Sequence, residues 1–183
     1  MTKQQIREKI LDMRRGLTSK YIEDESGKIY ERLTEGGILN NVKKVLVYSD
    51  FDNEVKTAAL TGWMIFHGIQ VYLPCVYKKE MFAADIKSAG LEMSKYGIAQ
   101  PKFCDASFAE PEEIDVVIVP GVAFDKNKNR IGFGCGYYDS FLKKAKNVKK
   151  IAIAYDFQLV DFIPIEAHDV CMDMIVLPDG VVK

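Results

Sequence analysis

The first forty residues alternate between hydrophobic and polar positions with the period of an α-helix. One apolar stripe, spaced at about 100° per residue, consists of Ile6, Ile10, Met13 and Leu17. Thr2 and Gln5 resemble a capping box just before this stripe, so the pattern predicts a first amphipathic helix. The same spacing resumes after Thr18 and ends at the Gly36-Gly37 pair, as expected for a second helix with a glycine C-cap.

After residue 43 the pattern changes to short apolar runs rich in β-branched residues, which are typical of strands buried on both faces. These runs are 45–48, 69–73 before Pro74, 115–119, 151–154 and 174–177. Helices are predicted at 54–67, closed by Gly68, and at 137–146. Residues 75–113 receive no assignment. Alternating strands and helices predict an α/β fold over residues 1–183: a single domain with a mostly parallel β-sheet and helices on both faces.

Composition narrows the classes of protein that fit this pattern. A chain of 183 residues buries roughly 70% of its unfolded surface, which suits one compact domain. The net charge of −1 gives no bulk attraction to nucleic acid or to acidic membranes, so we expect neither as a partner. The four cysteines include no C-x-x-C pair, which argues against a zinc knuckle. No signal segment or membrane span is recognisable, and we expect a cytoplasmic protein.

Three glycines at alternate positions form the strongest chemical motif, within residues 130–139. Alternating glycines allow backbone N–H groups to approach an anion, and a helix N-terminus adds partial positive charge. The spacing matches neither the dinucleotide fingerprint nor the P-loop, and an ordinary turn explains the glycines alone equally well. The flanking Arg130 can grip phosphate and Asp139 can bind Mg²⁺. Tyr137 and Tyr138 could stack on a ring or pack in the core.

Other polar residues have competing interpretations. Lys3, Arg7 and Arg14 form a basic stripe on the first helix, for which a solvated flank is the favoured interpretation. Glu54 is explained by the dipole of the helix predicted to begin there, although a carboxylate beyond a strand could also bind the N–H donors of a ring. We interpret His67 and His168 as cap or packing residues, and Cys135 as a small loop residue.

The segment 119–125, continued by residues 130–139, resembles the signature of the 5-formyltetrahydrofolate cyclo-ligases, also called methenyltetrahydrofolate synthetases. The similarity extends over nearly the whole chain. It includes Lys3, Ile6 and Arg7, residues 48–57 around Glu54, residues 154–158, and His168, Asp169 and Asp173.

The resemblance implies a reaction and a set of site residues. In that family ATP phosphorylates the formyl oxygen of 5-formyltetrahydrofolate, N10 attacks the activated carbon, and 5,10-methenyltetrahydrofolate, ADP and phosphate result. The implied ATP-binding residues are Lys3, Arg7, Arg130, Ile131, Gly132, Phe133, Gly134, Cys135, Gly136, Tyr137 and Tyr138, with Arg130 and Tyr138 catalytic. The implied folate-binding residues are Ser49, Glu54, Phe133, Gly134, Cys135, Gly136 and Tyr137. Asp139 and Asp169 would hold Mg²⁺.

Two loop positions depart from the family pattern. Phe133 stands where arginine is usual, and Cys135 stands where glycine or lysine is usual. Losing an arginine removes a bidentate phosphate grip, so we expect weaker ATP binding or compensation by Lys126, Lys128 or Arg14. Two alternatives therefore stay open beside the ligase. One is a non-catalytic relative that binds folate or nucleotide, and the other is a nucleic-acid-binding module, against which the net charge argues.

Overall fold

The computed structural model describes residues 1–95 and 97–183. The helices are α1 (Lys3–Arg15), α2 (Ser19–Glu35), α3 (Ala58–Phe66) and α4 (Tyr137–Lys144). The strands are β1 (Lys44–Val47), β2 (Gln70–Tyr77), β3 (Glu80–Asp85), β4 (Leu91–Met93), β5 (Ala99–Pro101), β6 (Phe108–Ala109), β7 (Val116–Val119), β8 (Ala123–Asp125), β9 (Arg130–Ile131), β10 (Lys149–Ile153), β11 (Leu159–Val160), β12 (Met174–Val176) and β13 (Val181–Val182). Short 3₁₀ turns lie at Pro111–Glu113 and Asp156–Gln158.

A large central sheet has the strand order β13-β12-β10-β7-β1-β2-β3-β6. Its five inner strands, from β12 to β2, are mutually parallel. The strands β13, β3 and β6 pair antiparallel at its two ends. The predicted α/β fold with a mostly parallel sheet is therefore confirmed. Two smaller sheets, β11-β8-β9 and β4-β5, were not predicted.

Helices cover both faces of the large sheet, as predicted. On one face α2 and α3 pack over the alternate strand residues that include Val45, Val47 and Ile118. On the other face α4 packs Phe141 and Leu142 over the intervening strand residues. The first helix lies elsewhere, because its apolar residues pack against the small β11-β8-β9 sheet.

The predicted starts of the first two helices are confirmed by their capping hydrogen bonds. Thr2 and Gln5 exchange the two hydrogen bonds of a capping box, at 2.9 and 3.2 Å. Thr18 caps α2 by accepting from the Tyr21 N–H. The predicted apolar stripe of α1 is wrong at one position, because Met13 is exposed and Arg14 takes the buried place beyond Ile10.

Two predicted boundaries are also wrong. The third helix begins at Ala58 rather than residue 54, because hydrogen bonds from Thr57 to the Tyr48 carbonyl and the Asp50 carboxylate hold the preceding segment in a loop. Strand β2 continues through Pro74 to Tyr77. Its pairing with β1 reaches only Tyr72, so the missing proline N–H interrupts no parallel ladder.

The unassigned segment 75–113 supplies the end of β2 and all of β3, β4, β5 and β6. The predicted glycine segment also divides into three parts. Arg130 and Ile131 belong to β9, residues 132–136 form the glycine loop proper, and α4 begins at Tyr137. Along the chain, strands β8 and β9 of the small sheet therefore come between β7 and the glycine loop. The loop was predicted to follow β7 directly.

Candidate active site

The candidate site lies where chain segments leave the carboxyl ends of the parallel strands, the usual place for ligands in such sheets. After β1 the chain runs through Ser49 and Asp50 to Glu54. After β7 it turns at Gly121 into the small sheet, which leads to the glycine loop. Gly121 is required for close packing, because a Cβ there would lie 2.3 Å from the Phe124 ring.

The glycine loop has the backbone geometry of an anion-binding turn. Gly134 has φ +102° and Gly136, the N-cap of α4, has φ +69°. Positive φ at both positions favours glycine, and exposed N–H groups at the start of a helix favour a bound anion. The residues Phe133, Gly134, Cys135 and Gly136 are all exposed, so a ligand can reach them.

Arg130 lies next to the first turn of α4, close to Tyr138 and Asp139. Its Nη1 donates to the Pro120 carbonyl at 3.1 Å, and its Nη2 forms an ion pair with Asp139 at 2.9 Å. The guanidinium carbon lies 5.8 Å from the centre of the Tyr138 ring. Arg130 Nε and the Tyr138 hydroxyl are buried without a hydrogen-bond partner among the described residues. Burial raises the pKa of Tyr138 well above its ordinary value, so the phenol remains a proton donor.

Two basic side chains of α1 contact residues of the candidate site. Arg7 Nε donates to the Gly132 carbonyl at 2.9 Å, and Lys3 Nζ lies 2.6 Å from Asp169 Oδ2. Burial opposes the charge on both members of the second pair, but their hydrogen bond raises the pKa of Lys3 and lowers that of Asp169. The structure thus brings the predicted ATP-binding cation Arg7 against the predicted phosphate loop.

The solvated-flank interpretation is wrong for Arg14, which is only 1% exposed. Its Nη2 donates to Asp52 Oδ2 at 3.1 Å, and its Nη1 lies 3.7 Å from Glu54 Oε1. The guanidinium carbon lies 5.3 Å from the centre of the exposed Phe133 ring, which also contacts Phe51 at 5.0 Å. Arg14 therefore joins the glycine loop to the loop that follows β1.

Glu54 is 4% exposed and lies four residues before α3, so a helix dipole does not explain it. Its Oε2 accepts from the Phe51 N–H at 3.3 Å, whereas Oε1 has no hydrogen-bond partner among the described residues. Burial raises the pKa of Glu54 to about 8, against the opposing effect of Arg14. Ser49, the second predicted folate-binding residue, is half-buried at the end of β1.

Both predicted metal ligands form ion pairs with predicted ATP-binding residues. Asp139 pairs with Arg130, and Asp169 pairs with Lys3. Over residues 1–95 and 97–183 there is no group of three acidic, histidine or cysteine side chains able to hold a metal ion. Mg²⁺ usually binds through one or two carboxylates, with water and substrate phosphate completing its shell. A single carboxylate such as Asp139 or Asp169 is therefore compatible with a magnesium ion whose remaining ligands are water and phosphate.

No role was predicted for Asp125, although it lies in the signature segment 119–125. The buried Asp125 accepts four hydrogen bonds, from the backbone of Asn127, Asn129 and Ile163 and from the Asn129 side chain. It fixes the turn between β8 and β9, so this part of the family signature has a structural cause. The sequence signal for the burial of Arg14 was its helical spacing from Ile6 and Ile10.

His67 is the C-cap residue of α3, and its ring nitrogen lies 2.9 Å from the Trp63 carbonyl oxygen.

Taken together, a doubly covered, mostly parallel sheet and a polar candidate site at its carboxyl edge define an α/β protein with the architecture of a small-molecule-binding domain. Residues 1–178 match the 5-formyltetrahydrofolate cyclo-ligase family. The chain belongs to this family, whose members are ligases.

The similarity to known members of the family extends over almost the full chain. The 5-formyltetrahydrofolate cyclo-ligase of Saccharomyces cerevisiae is 30% identical, covering 98% of this chain and 96% of its own. The 5-formyltetrahydrofolate cyclo-ligase of Haemophilus influenzae is 29% identical, covering 92% and 93%. The solved structure of 5,10-methenyltetrahydrofolate synthetase from Aquifex aeolicus superposes with a TM-score of 0.89 at 32% identity, covering 100% of this chain and 93% of that one. No described helix is long and apolar enough to cross a membrane.

Proposed function

We propose that the protein is an ATP- and Mg²⁺-dependent ligase that converts 5-formyltetrahydrofolate to 5,10-methenyltetrahydrofolate, with formation of ADP and phosphate. The observation that carries the proposal is a group of buried polar atoms around the glycine loop that have no hydrogen-bond partner in the described part of the chain. They are Arg14 Nε and Nη1, Glu54 Oε1, Arg130 Nε and the Tyr138 hydroxyl. Buried polar groups are unfavourable without hydrogen bonds, so a ligand that offers both donors and acceptors would satisfy them.

The phosphates of ATP would bind on the side of the loop that Arg7 contacts. Arg7 and Lys3 supply positive charge from α1, Arg130 supplies it from β9, and the loop N–H groups surround the oxygens. Phosphoryl transfer depends mainly on positioning and on neutralising oxygen charge. Arg130 and Tyr138 would serve as the catalytic donors, because Arg130 Nε and the Tyr138 hydroxyl have no other partner among the described residues.

The folate ring would bind on the side of Glu54. A carboxylate accepts hydrogen bonds from the N–H donors of a pterin, and Glu54 Oε1 is buried without a hydrogen-bond partner among the described residues. Ser49, the exposed residues 133–136 and the half-buried Tyr137 would complete this wall. The formyl group would then lie between Glu54 and the phosphate loop, where the two ligands have to meet.

The proposed reaction has two steps. The formyl oxygen attacks the γ-phosphorus of ATP, its bond to phosphorus forms, and ADP leaves. N10 then attacks the formyl carbon and loses its proton, and the carbon–oxygen bond breaks to release phosphate. The second attack is intramolecular, which lowers its entropic barrier. The protein contributes orientation and exclusion of water rather than a dedicated base.

Asp139 and Asp169 would hold the Mg²⁺ of Mg·ATP. The ion would supply neutralising charge at the phosphate oxygens. In this assignment the carboxylates also keep Arg130 and Lys3 oriented towards the nucleotide, since each already pairs with one of them.

Small molecules are the proposed ligands, and we infer a cytoplasmic place of action without nucleic acid or membrane partners. The net charge of −1 supports this, because it supplies no general attraction to phosphate-rich polymers or surfaces.

The deciding experiment mixes purified protein with 5-formyltetrahydrofolate and Mg·ATP and follows the absorbance of methenyltetrahydrofolate. We expect product only when ATP and Mg²⁺ are both present, with one ADP formed per product. Folded protein that forms no product would overturn the proposal.

A non-catalytic relative remains the second candidate, favoured by Phe133 and Cys135 in the glycine loop. Such a protein would bind folate or Mg·ATP, as measured by calorimetry, yet would release no ADP when both ligands are present.

A further inference from the structure

Arg14 has more hydrogen-bonding capacity than its neighbours use. Its Nη2 binds Asp52, while Nε and Nη1 are buried without a hydrogen bond among the described residues. Glu54 Oε1, at 3.7 Å from Nη1, is too distant to complete one. A guanidinium almost fully removed from water is unfavourable unless its N–H groups find acceptors. The arrangement therefore calls for an additional, preferably anionic, oxygen.

Arg14 is placed at the junction of the two proposed ligand sites. Its guanidinium carbon lies 5.3 Å from the centre of the Phe133 ring, which belongs to the glycine loop, and its Nη1 lies 3.7 Å from Glu54 Oε1. ATP would bind at the loop and the folate ring at Glu54, so the group transferred between them passes close to this junction. An oxygen of that group is the acceptor that best matches two N–H donors lacking a hydrogen bond within the described structure.

Among the three cations considered as replacements for an arginine at position 133, only Arg14 has a described contact with the loop. Lys126 is exposed on the turn that joins β8 to β9, and the backbone of Lys128 is fixed there by Asp125 and Met172. Phe133 itself has no N–H on its side chain to offer a phosphate. Its ring instead packs over the Arg14 guanidinium at 5.3 Å.

We propose that Arg14 is a phosphoryl-binding residue, whose Nε and Nη1 donate to oxygens of the phosphoryl group that passes from ATP to the formyl oxygen, in place of an arginine at loop position 133. The inference rests on the proposed function and adds a residue to its site. It assigns part of the phosphate binding to a side chain of α1 rather than to the glycine loop alone.

The test compares Arg14→Met with Arg15→Met in the full-length protein. Both changes keep the length of the stem, and Arg15 is an exposed neighbour that pairs only with Asp12 among its described contacts. We expect Arg14→Met to lower kcat by about 100-fold, the size of the loss when one charged donor to a transition state is removed. Arg15→Met should stay within about twofold of wild type.

A rescue variant separates phosphate binding from a purely structural role. Phe133→Arg, added to Arg14→Met, should restore kcat by about tenfold or more, because the new guanidinium approaches the same oxygens. If Arg14 only steadies Asp52 and Glu54, this second change restores nothing. A folded double variant without rescue would therefore overturn the inference.

Arg14→Lys covers the case in which Arg14→Met does not fold, since lysine keeps the buried charge. It should fold and lose about tenfold in kcat, because a lysine cannot reproduce the planar donor pair. Wild-type kcat in Arg14→Lys or Arg14→Met would overturn the proposed role of Arg14 but not the proposed function. A folded wild-type protein without any turnover would instead overturn the proposed function.

Discussion

The pKa of the Glu54 carboxyl group depends on charged side chains from two segments. Arg14 Nη1 of α1 lies 3.7 Å from Glu54 Oε1, and the charges of Asp50 and Asp52 act on Glu54 from its own loop. Burial is the largest influence and raises its pKa to about 8, although Arg14 favours the charged form. A ligand with N–H donors would favour ionisation further, so binding and deprotonation of Glu54 should be linked.

Glu54 should make the stability of the protein depend on pH. Its pKa is about 8 in the folded protein and 4.5 ordinarily, so the folded state binds more protons than the unfolded chain between those values. Stability therefore falls as pH rises through this window, by a few kcal/mol at about 1.4 kcal/mol per pH unit. Glu54→Gln should remove that fall, as measured by urea unfolding across the window. The exposed Glu23→Gln is the control, and equal slopes in all three proteins would contradict the prediction.

Asp139→Asn should abolish turnover while leaving the fold intact. Asparagine keeps the shape of the side chain but gives up the charge that would hold Mg²⁺ and that pairs with Arg130. We expect kcat to fall by at least about 100-fold. The melting temperature should fall by no more than roughly 4 °C, since a part-exposed ion pair contributes about 1 kcal/mol or less.

Asp12→Asn is the matched control, because Asp12 also pairs with an arginine but lies exposed on α1. The rate and melting temperature of each variant would be measured with saturating Mg·ATP. Full activity of Asp139→Asn would remove Asp139 from the metal site.

At the scale of elements, the glycine loop acts through its backbone and α1 acts through its side chains. The loop joins β9 to α4 over five residues, and two of these hold positive φ. Arg7 steadies it by donating to Gly132. A substitution that changes the loop backbone should therefore affect binding more than stability.

Gly134→Ala should weaken Mg·ATP binding by about tenfold or more. The φ of +102° at Gly134 disfavours any side chain, and an ill-suited backbone conformation costs about 1–3 kcal/mol. Because the loop is exposed, relaxation of its backbone should absorb much of the strain. Calorimetric titration of the variant would measure the affinity.

Gly27→Ala is the matched control for this glycine substitution. It lies inside α2, where an added Cβ meets nothing within 4 Å, so it should leave ATP affinity unchanged. It should also stabilise the protein by about 1 kcal/mol, the difference in helix propensity. Equal ATP affinity in both variants would argue against a role for the loop backbone.

The elements that sequence predicted best are those whose signals are local. Thr2, Thr18 and Gly36 each mark a helix end through contacts within a few residues, and all three are confirmed. The strands β3 to β6 are short and depend on distant partners, so the segment 75–113 gave no readable pattern. The start of α3 was misplaced for the same reason, since Thr57 is held by atoms of the preceding strand end.

The site was predictable in its residue types but not in its contacts. The loop spacing pointed to an anion, and the structure places Arg7 against that loop. Arg14 was misjudged because a charge beside an apolar stripe is usually solvated. Only the tertiary structure shows that Phe133 and Glu54 lie next to its guanidinium group.

At the scale of the whole molecule, one continuous sheet supports both sides of the site. The carboxyl end of β1 leads to the Glu54 side, while β7 leads through the small sheet to the loop. Ligand that binds between them contacts segments from both halves of the chain and should stabilise the entire domain.

Mg·ATP should therefore raise the melting temperature of the protein. At about 100 times its Kd, a ligand contributes about 2.7 kcal/mol, which corresponds to roughly 5–10 °C for a domain of this size. Differential scanning calorimetry would measure the shift, with ATP in the presence of a chelator as control. Single-stranded DNA should produce no shift. Tight, steeply salt-dependent DNA binding without any effect of Mg·ATP would favour the nucleic-acid alternative instead.

The packing of α1 has a consequence for the timing of folding during synthesis. Its apolar residues contact Val122, Ala123, Ile131 and Ile163, all from the second half of the chain. Ribosomes add about 5–20 residues per second, so this helix waits on the order of ten seconds for its partners. An isolated helix of 13 residues is only marginally stable in water. Residues 3–15 are thus synthesised well before they can reach their final place, and the phosphate side of the site is complete only after residues 122–163 have been made.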